Sequence, residues 1–280
     1  MKLHVIDTGF FKLDGGAMFG VVPKSIWEKS NPPDEKNLCT WAMRCLLIED
    51  DSRKILIDTG LGDKQSEKFF SHYEPHGSAS LLGSLKEKGF KAEDITDVIL
   101  THLHFDHAGG AVKRAGEELL LTFPNATYYV NRAHWEHALN SNPREKASFL
   151  DENILPLEQS GQLKLLEKGE DFNSNIKLRT FDGHTTGMWV PELNCNGRIL
   201  FYCADLIPSA AHIPVNFIMS YDIRPLVTME ESEIFLREVV NKQAVLFFEH
   251  DPSIECCEVL LNEKGKFAAK RTGYLSEFEL

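Results

Sequence analysis

Thr101-His102-Leu103-His104-Phe105-Asp106-His107-Ala108-Gly109-Gly110 is the stretch that decides how this chain is read. Three imidazoles and a carboxylate (His102, His104, Asp106 and His107) follow directly on the apolar run Ile95 to Leu100. That run, short and rich in β-branched residues, predicts a buried strand. His102 and His104 are two residues apart, so on an extended backbone both side chains leave the same face and can hold one ion. Asp106 follows where the chain must turn, and Ala108-Gly109-Gly110 lets the backbone pass close by. Imidazole nitrogen with carboxylate oxygen is the ligand set of zinc and similar divalent metals. A lone histidine at a strand end is usually an ordinary hydrogen-bonded residue, but four ligand-type side chains at this spacing predict a metal site.

Four such residues do not complete a site, and the rest of the chain supplies more of them after strand-like segments. The alternating segment Ile176 to Phe181 runs into Asp182-Gly183-His184-Thr185-Thr186-Gly187, a histidine in a glycine-flanked turn. Ile199 to Cys203 is a second apolar strand with Asp205 just past its end, and Val245 to Phe248 a third with His250 just past it. Each candidate lies on a loop leaving a predicted strand, where a rigid scaffold holds side chains in place.

The order HxHxDH, then His184, Asp205 and His250, resembles the metallo-β-lactamase superfamily over nearly the whole chain. Asp58-Thr59-Gly60 after Ile55-Leu56-Ile57 is similar to that superfamily's second signature. The resemblance implies an α/β fold, a four-layer αββα sandwich of two mixed sheets with helices outside. It implies two divalent metal ions per chain: His102, His104 and His184 around the first, Asp106, His107 and His250 around the second, and Asp205 bridging them. Asp58 would steady the His-rich loop; by sequence alone a plain turn aspartate fits it equally well. Zinc is the first expectation, and a nitrogen/oxygen set also accepts manganese, iron or cobalt. The implied chemistry is hydrolysis by a hydroxide held between the metals, with Asp106 orienting it and passing a proton to the leaving alkoxide.

At 280 residues the chain fits one large or two small domains. No Pro/Gly/Ser-rich linker divides it and the ligands run from 102 to 250, so 1–280 is read as a single domain. Strands are expected near 3–11, 41–48, 54–58, 95–100, 126–130, 163–167, 176–181, 199–204 and 245–249, and helices near 78–89, 131–140, 144–160 and 230–242. Val259 to Lys270 reads as a hairpin around Glu263-Lys264-Gly265. The amino-terminal segment lacks the apolar core of a signal peptide, and no run is long and apolar enough to span a membrane. Six cysteines (Cys39, Cys45, Cys195, Cys203, Cys256 and Cys257) show no metal or disulfide spacing and suit reduced thiols in a cytoplasmic protein. A formal net charge of −12 with no offsetting basic stripe argues against nucleic acid as partner.

Residue types narrow the branch. A redox di-iron site in this fold usually has an acid where His104 stands, and exported antibiotic-degrading relatives carry a cysteine where Asp205 stands. Glyoxalase-type thioesterases carry a helical carboxy-terminal domain, for which too few residues follow His250. Leu13-Asp14-Gly15-Gly16-Ala17-Met18-Phe19-Gly20-Val21-Val22-Pro23-Lys24, with Trp27, resembles the early loop of YtnP-type quorum-quenching lactonases. The run from His102 to Gly110 is similar to acyl-homoserine lactone lactonases. Gly15-Gly16 would make a tight turn, and Met18, Phe19 and Trp27 form an apolar wall for an acyl chain or simply pack in the core. Pro208 stands where those lactonases place a tyrosine against the lactone carbonyl, bringing the chain nearer the methyl-parathion-hydrolase-like branch. Tyr221 or His212 are candidate replacements. His72, His76, His134 and His137 are expected on polar surface. The expected function is a dinuclear hydrolase opening lactones of the N-acyl-homoserine type. The alternatives are a phosphotriesterase or arylesterase, and a metal-binding protein without turnover. The partner is a small-molecule ester or lactone, with no membrane, and the resemblance allows a homodimer.

Overall fold

A computed structural model describes residues 1–280. In chain order the elements are β1 (Lys2–Asp14), α1 (Gly15–Phe19), α2 (Lys24–Trp27), β2 (Leu38–Asp50), β3 (Arg53–Ile57), α3 (Glu67–Tyr73), α4 (Leu81–Glu87), β4 (Asp97–Ile99), α5 (Phe105–Ala108), β5 (Val112–Ala115) and β6 (Glu118–Leu121). There follow β7 (Thr127–Asn131), α6 (Arg132–Leu139), α7 (Asp151–Gln159), β8 (Leu163–Leu166), β9 (Ile176–Phe181), β10 (Met188–Cys195), β11 (Arg198–Tyr202), α8 (Pro225–Lys242), β12 (Val245–Phe247), β13 (Cys256–Leu261) and β14 (Phe267–Gly273). The chain divides into two compact units, Met1–Phe10 with Met43–Lys168 and Phe11–Ala42 with Gly169–Leu280, the divisions falling inside β1 and β2.

The first unit is built on the sheet β1-β2-β3-β4-β7-β8, in which β3, β4, β7 and β8 pair in parallel. Residues two apart share a face, so Val98 and Leu100 after it, and Tyr128 and Val130 on β7, turn to the same side as Leu56. There they cluster with Trp135 of α6 and Ile154 and Leu157 of α7. Each such aliphatic side chain taken from water contributes about 1.5–3 kcal/mol. Parallel strands end on one edge, and at that edge Asp58 leaves β3, Thr101 and His102 follow β4, and α6 follows β7. Ligand sites in parallel sheets form at this carboxyl edge.

The second unit carries the sheet β14-β13-β12-β11-β10-β9. β9 and β11 are both antiparallel to β10, and β12 is parallel to β11. The three strands β9, β11 and β12 therefore run the same way, and the loops carrying His184, Asp205 and His250 leave one edge. α8 lies on this sheet through Phe235, set edge-on to Phe201 with centroids 4.9 Å apart. Arg179 of β9 fastens the same helix by two bonds to Glu238, 2.8 and 2.9 Å.

The nine expected strands form, as do the four expected helices and the 259–270 hairpin, with shifted ends. α7 begins at Asp151 rather than near 144, because Lys146–Ser148 makes only one tight turn and Leu150 is extended. α8 begins at Pro225, whose fixed φ suits the first helical turn. Gly15 and Gly16 open a helix instead of a turn, capped by Asp14 accepting from Ala17 N at 2.8 Å. All six cysteines are buried and unbridged. No helix is long and apolar enough to cross a membrane.

Lys64, on the loop after β3, is 6% exposed, and its ammonium donates to the Gly109 carbonyl. Burial pulls its pKa down from 10.5 to about 8. Between those two pH values the unfolded chain binds the proton and the folded one does not, so stability rises with pH across the window and is flat in this group below it. In thermal melts, the wild type is expected to gain stability relative to Lys64→Met from pH 8 to 10.5. A pH-independent difference between the two would overturn this assignment.

Candidate metal centre

The first unit supplies the cluster anticipated from the sequence. His102 follows β4 in the loop, His104 precedes α5 on extended backbone, and α5 itself carries Asp106 and His107. Their rings converge: His102 lies 4.5 Å from His104 and 3.9 Å from His107 by ring centroids, and Asp106 Oδ2 is 3.8 Å from His107 Nε2. The glycines explain how the loop closes. A Cβ on Gly109 would sit 2.0 Å from the Leu61 carbonyl oxygen, and one on Gly110 2.1 Å from that of Thr59. The 58–62 and 107–110 segments thus pack backbone against backbone, tied by Thr59 N to His107 O at 2.8 Å and Gly110 N to Gly60 O at 2.9 Å.

Asp58 is fully buried and in the left-handed region, φ 58°. Its carboxylate accepts from Thr101 N and Thr101 Oγ1, both at 2.7 Å, and faces His107 Nδ1 at 3.2 Å. The Thr101 hydroxyl, its proton committed to Asp58, accepts from His102 Nδ1 at 3.1 Å. It is therefore not a plain turn aspartate: its carboxylate sets the ring orientation of two imidazoles.

The second unit brings together His184, Asp205 and His250. Asp205 Oδ2 is 3.1 Å from His184 Nε2, and Oδ1 is 3.0 Å from His250 Nε2, so each carboxylate oxygen faces a different imidazole. Ala204, just before it, holds φ 44°, a strained conformation for a residue with a Cβ and one often found beside functional groups. The outer nitrogens of both histidines are engaged: His184 Nδ1 by Asp222 Oδ1 at 2.7 Å, His250 Nδ1 by the Ala42 carbonyl at 2.7 Å. Burial pushes the Asp222 carboxyl above the ordinary range, while its bond to His184 pulls the other way.

His104 is held in the opposite sense. Its Nε2 meets Glu145 Oε1 at 3.2 Å, and the other oxygen of Glu145 takes a 2.6 Å bond from His137 Nε2. Four histidines thus engage Nδ1 and present Nε2, whereas His104 engages Nε2 and presents Nδ1. Metal-ligating histidines carry this signature, one ring nitrogen fixed by an oxygen partner so that the other is aimed. The donor set, imidazole nitrogen with carboxylate oxygen, fits divalent metal in each unit.

The surface placement of His134 and His137 is corrected. His134 is fully buried, accepting from Leu103 N, between two ligand-type histidines, at 2.8 Å. His137 is bonded to Glu145, itself 3% exposed. Their i,i+3 spacing on α6 carried the signal of a shared face, but nothing local told which way that face turns. Glu145 itself was missed, since it meets His104 from 41 residues away. His72 and His76 do lie exposed.

Met18, Phe19 and Trp27 are buried. Phe19 stacks on Trp27 (5.4 Å, 10°) and on His212 (4.7 Å, 4°). A Cβ on Gly15 would meet the Trp27 ring at 2.4 Å, which is why that position is glycine. His212 is buried with both ring nitrogens engaged, Nδ1 to Ser209 Oγ at 2.8 Å and Nε2 to Met18 O at 2.9 Å. Burial lowers its pKa to about 4, so the ring is neutral. Tyr221 is 39% exposed. Pro208 takes a backbone bond from His250 N at 3.1 Å.

Residues 44–250, most of the chain, match the family described as the metallo-beta-lactamase superfamily. The chain belongs to that superfamily. An N-acyl homoserine lactonase of Bacillus cereus is similar to it, 27% identical over 269 residues, covering 89% of this chain and 93% of that protein. A probable metal-dependent hydrolase from Staphylococcus aureus superposes with a TM-score of 0.88 at 29% identity over 97% of this chain and 95% of that one. AidC, a dizinc quorum-quenching lactonase solved with a product, superposes at 0.78 over 98% of this chain and 95% of that one; its 23% identity shows the fold alone.

Glu145→Gln should weaken metal affinity about 10- to 100-fold, the usual cost of losing a carboxylate behind a ligating histidine. Competition against a chromophoric chelator measures it, and unchanged affinity in a folded variant would remove Glu145 from the site.

Proposed function

We propose that the protein is a dinuclear metallohydrolase whose substrate is a lactone of the N-acyl-homoserine type. His102, His104 and His184 would hold one divalent ion, Asp106, His107 and His250 the other, and Asp205 would bridge them. The observation that carries this reading is the bonding around the imidazoles, each fixed at one nitrogen by an oxygen partner and aimed with the other. The pair of ions would supply an activated water and polarise the scissile carbonyl. Zinc is the expected metal, with manganese, iron or cobalt acceptable to the same donors.

The chain's own residues do the rest. Asp205, with an oxygen toward each of His184 and His250, is shaped to span two ions. Asp106, on α5 and facing the His107 ring, is the candidate to orient water and return its proton to the leaving alkoxide. Of the two candidates for the role that the tyrosine plays in lactonases, Tyr221 is the better, since His212 spends both nitrogens on Ser209 and Met18. Phe19, Trp27 and Met18 then back the acyl side, their packing fixing its shape. The similarity to N-acyl homoserine lactonase along 89% of the chain supports the lactone. Pro208 favours the second reading, a phosphotriesterase or arylesterase. Six buried thiols support a reducing, cytoplasmic setting, where the reaction would amount to quorum quenching.

Assay of the metal-loaded protein against an N-acyl-homoserine lactone series, a simple aliphatic lactone and a phosphotriester tests this. The expected result is the highest kcat/KM on the acyl-homoserine lactones. Preference for the phosphotriester would install the second reading, and no ester hydrolysis with two metals bound would reject both. Asp205→Ala should lose bound metal and turnover together; turnover at wild-type metal content would contradict its role.

A further inference from the structure

In the second unit, α8 holds the loop that carries His184. β9 and β10 stay paired as far as Phe181 and Met188, and the residues between them, Asp182 to Gly187, form that loop. A Cβ on Gly183 would sit 2.4 Å from both the amide nitrogen and the hydroxyl oxygen of Thr228, so only glycine lets the loop lie this close to the helix. The carbonyls around the histidine are engaged, Gly183 O by Arg224 N at 2.9 Å and His184 O by Ile223 N at 3.1 Å. The amides ahead of it are engaged by one side chain. Glu231, half-buried in the second turn of α8, accepts from Asp182 N on Oε1 at 2.8 Å and from Gly183 N on Oε2 at 2.9 Å. Three successive peptide units leading into His184 are thus tied to α8 or to Arg224, its N-cap.

We propose that Glu231 is a positioning residue for the metal centre: by fixing the backbone ahead of His184 it sets the point from which that ring reaches the ion. The proposal rests on the reading of His184 as a metal ligand. Asp222 turns the ring through Nδ1 at 2.7 Å, and Glu231 fixes where the ring is mounted. A ligand on an unfixed loop loses conformational freedom when it binds, and a mount fixed beforehand removes that cost. Hydrogen bonds to an ionised carboxylate are about twice as strong as neutral ones, which suits Glu231 to the task. Both bonds run to main-chain amides, so the effect on the imidazole passes through the backbone.

Glu231→Gln tests the proposal. The substituted amide keeps one carbonyl oxygen and turns an NH2 donor toward the other main-chain N–H, so one of the two bonds is lost. In chelator competition the wild type is expected to bind two equivalents of zinc. The variant should hold one of them about tenfold more weakly, the lower end of what losing a residue behind a ligand costs. Ring nitrogen NMR of the zinc-loaded proteins should show His184 displaced, with His102, His104 and His107 in place. Glu230→Gln, at the exposed neighbouring position, removes the same charge and should leave both measurements unchanged. Glu231→Asp keeps both oxygens on a shorter side chain; its zinc affinity should fall between the other two, and it carries the test where Glu231→Gln does not fold. A lowered Tm with zinc affinity and His184 resonances at wild-type values would mark a merely structural bond and overturn the proposal, as would an equal loss in Glu230→Gln. Absence of zinc binding by the wild type would instead reject the metal centre, and this assignment with it.

Discussion

Asp58 is the interaction on which the histidine cluster of the first unit depends. A carboxylate with no solvent contact is costly unless donors surround it, and here Thr101 supplies two and His107 a third. Those bonds do more than compensate burial. They fix the backbone at the exit of β4, and through the Thr101 hydroxyl they reach the ring of His102. One side chain so orients two ligand-type imidazoles and the turn between them. The left-handed backbone at Asp58 is part of the same arrangement, since it turns the chain off β3 and back toward the β4 exit.

The rest of the site obeys strand direction. In the first unit parallel pairing of β3, β4 and β7 puts Asp58, the His-rich loop and α6 at one edge. In the second, two antiparallel steps and one parallel step bring the ends of β9, β11 and β12 to one edge. A rigid sheet sets the spacing to within fractions of an ångström, and only the last side-chain torsions remain to be fixed by hydrogen bonds.

What the sequence made legible and what it hid divide on the same line. The strands, the ligand-type side chains that gather past their ends and the glycines at 109 and 110 were readable because period, residue type and backbone need are local properties. Asp58 was half legible: its position after a strand was clear, its bonds to Thr101 and His107 were not. Glu145 and His134 were hidden because their meaning lies in what they approach, a histidine 41 residues away and the amide of Leu103. Met18, Phe19 and Trp27 stayed ambiguous for a related reason, as apolar character does not say whether a ring faces a ligand or another ring. Here Phe19 stacks on Trp27 and on His212. β10 escaped notice as well, for Pro191 and Glu192 break the alternation that marks a half-buried strand.

Buried polar side chains of the kind found around the two clusters are weak devices for stability. Replacing a buried polar or ionic network by apolar residues of similar volume is often neutral or stabilising by about 1–4 kcal/mol. Asp58, Glu145, Asp222 and His134 are each less than 4% exposed, and each bonds either a ligand-type histidine or the backbone beside one. A core built for stability alone would hold leucine or phenylalanine at such positions. Their common feature is not charge or element but the atom they face: a ring nitrogen turned from the cluster, or a main-chain amide that sets a ring's position. The reversed ring of His104 makes the point sharply, since Glu145 approaches it at Nε2 where the other four partners approach Nδ1. Unspecific packing would have no reason to follow that reversal, and a scaffold that fixes which nitrogen each ring presents must.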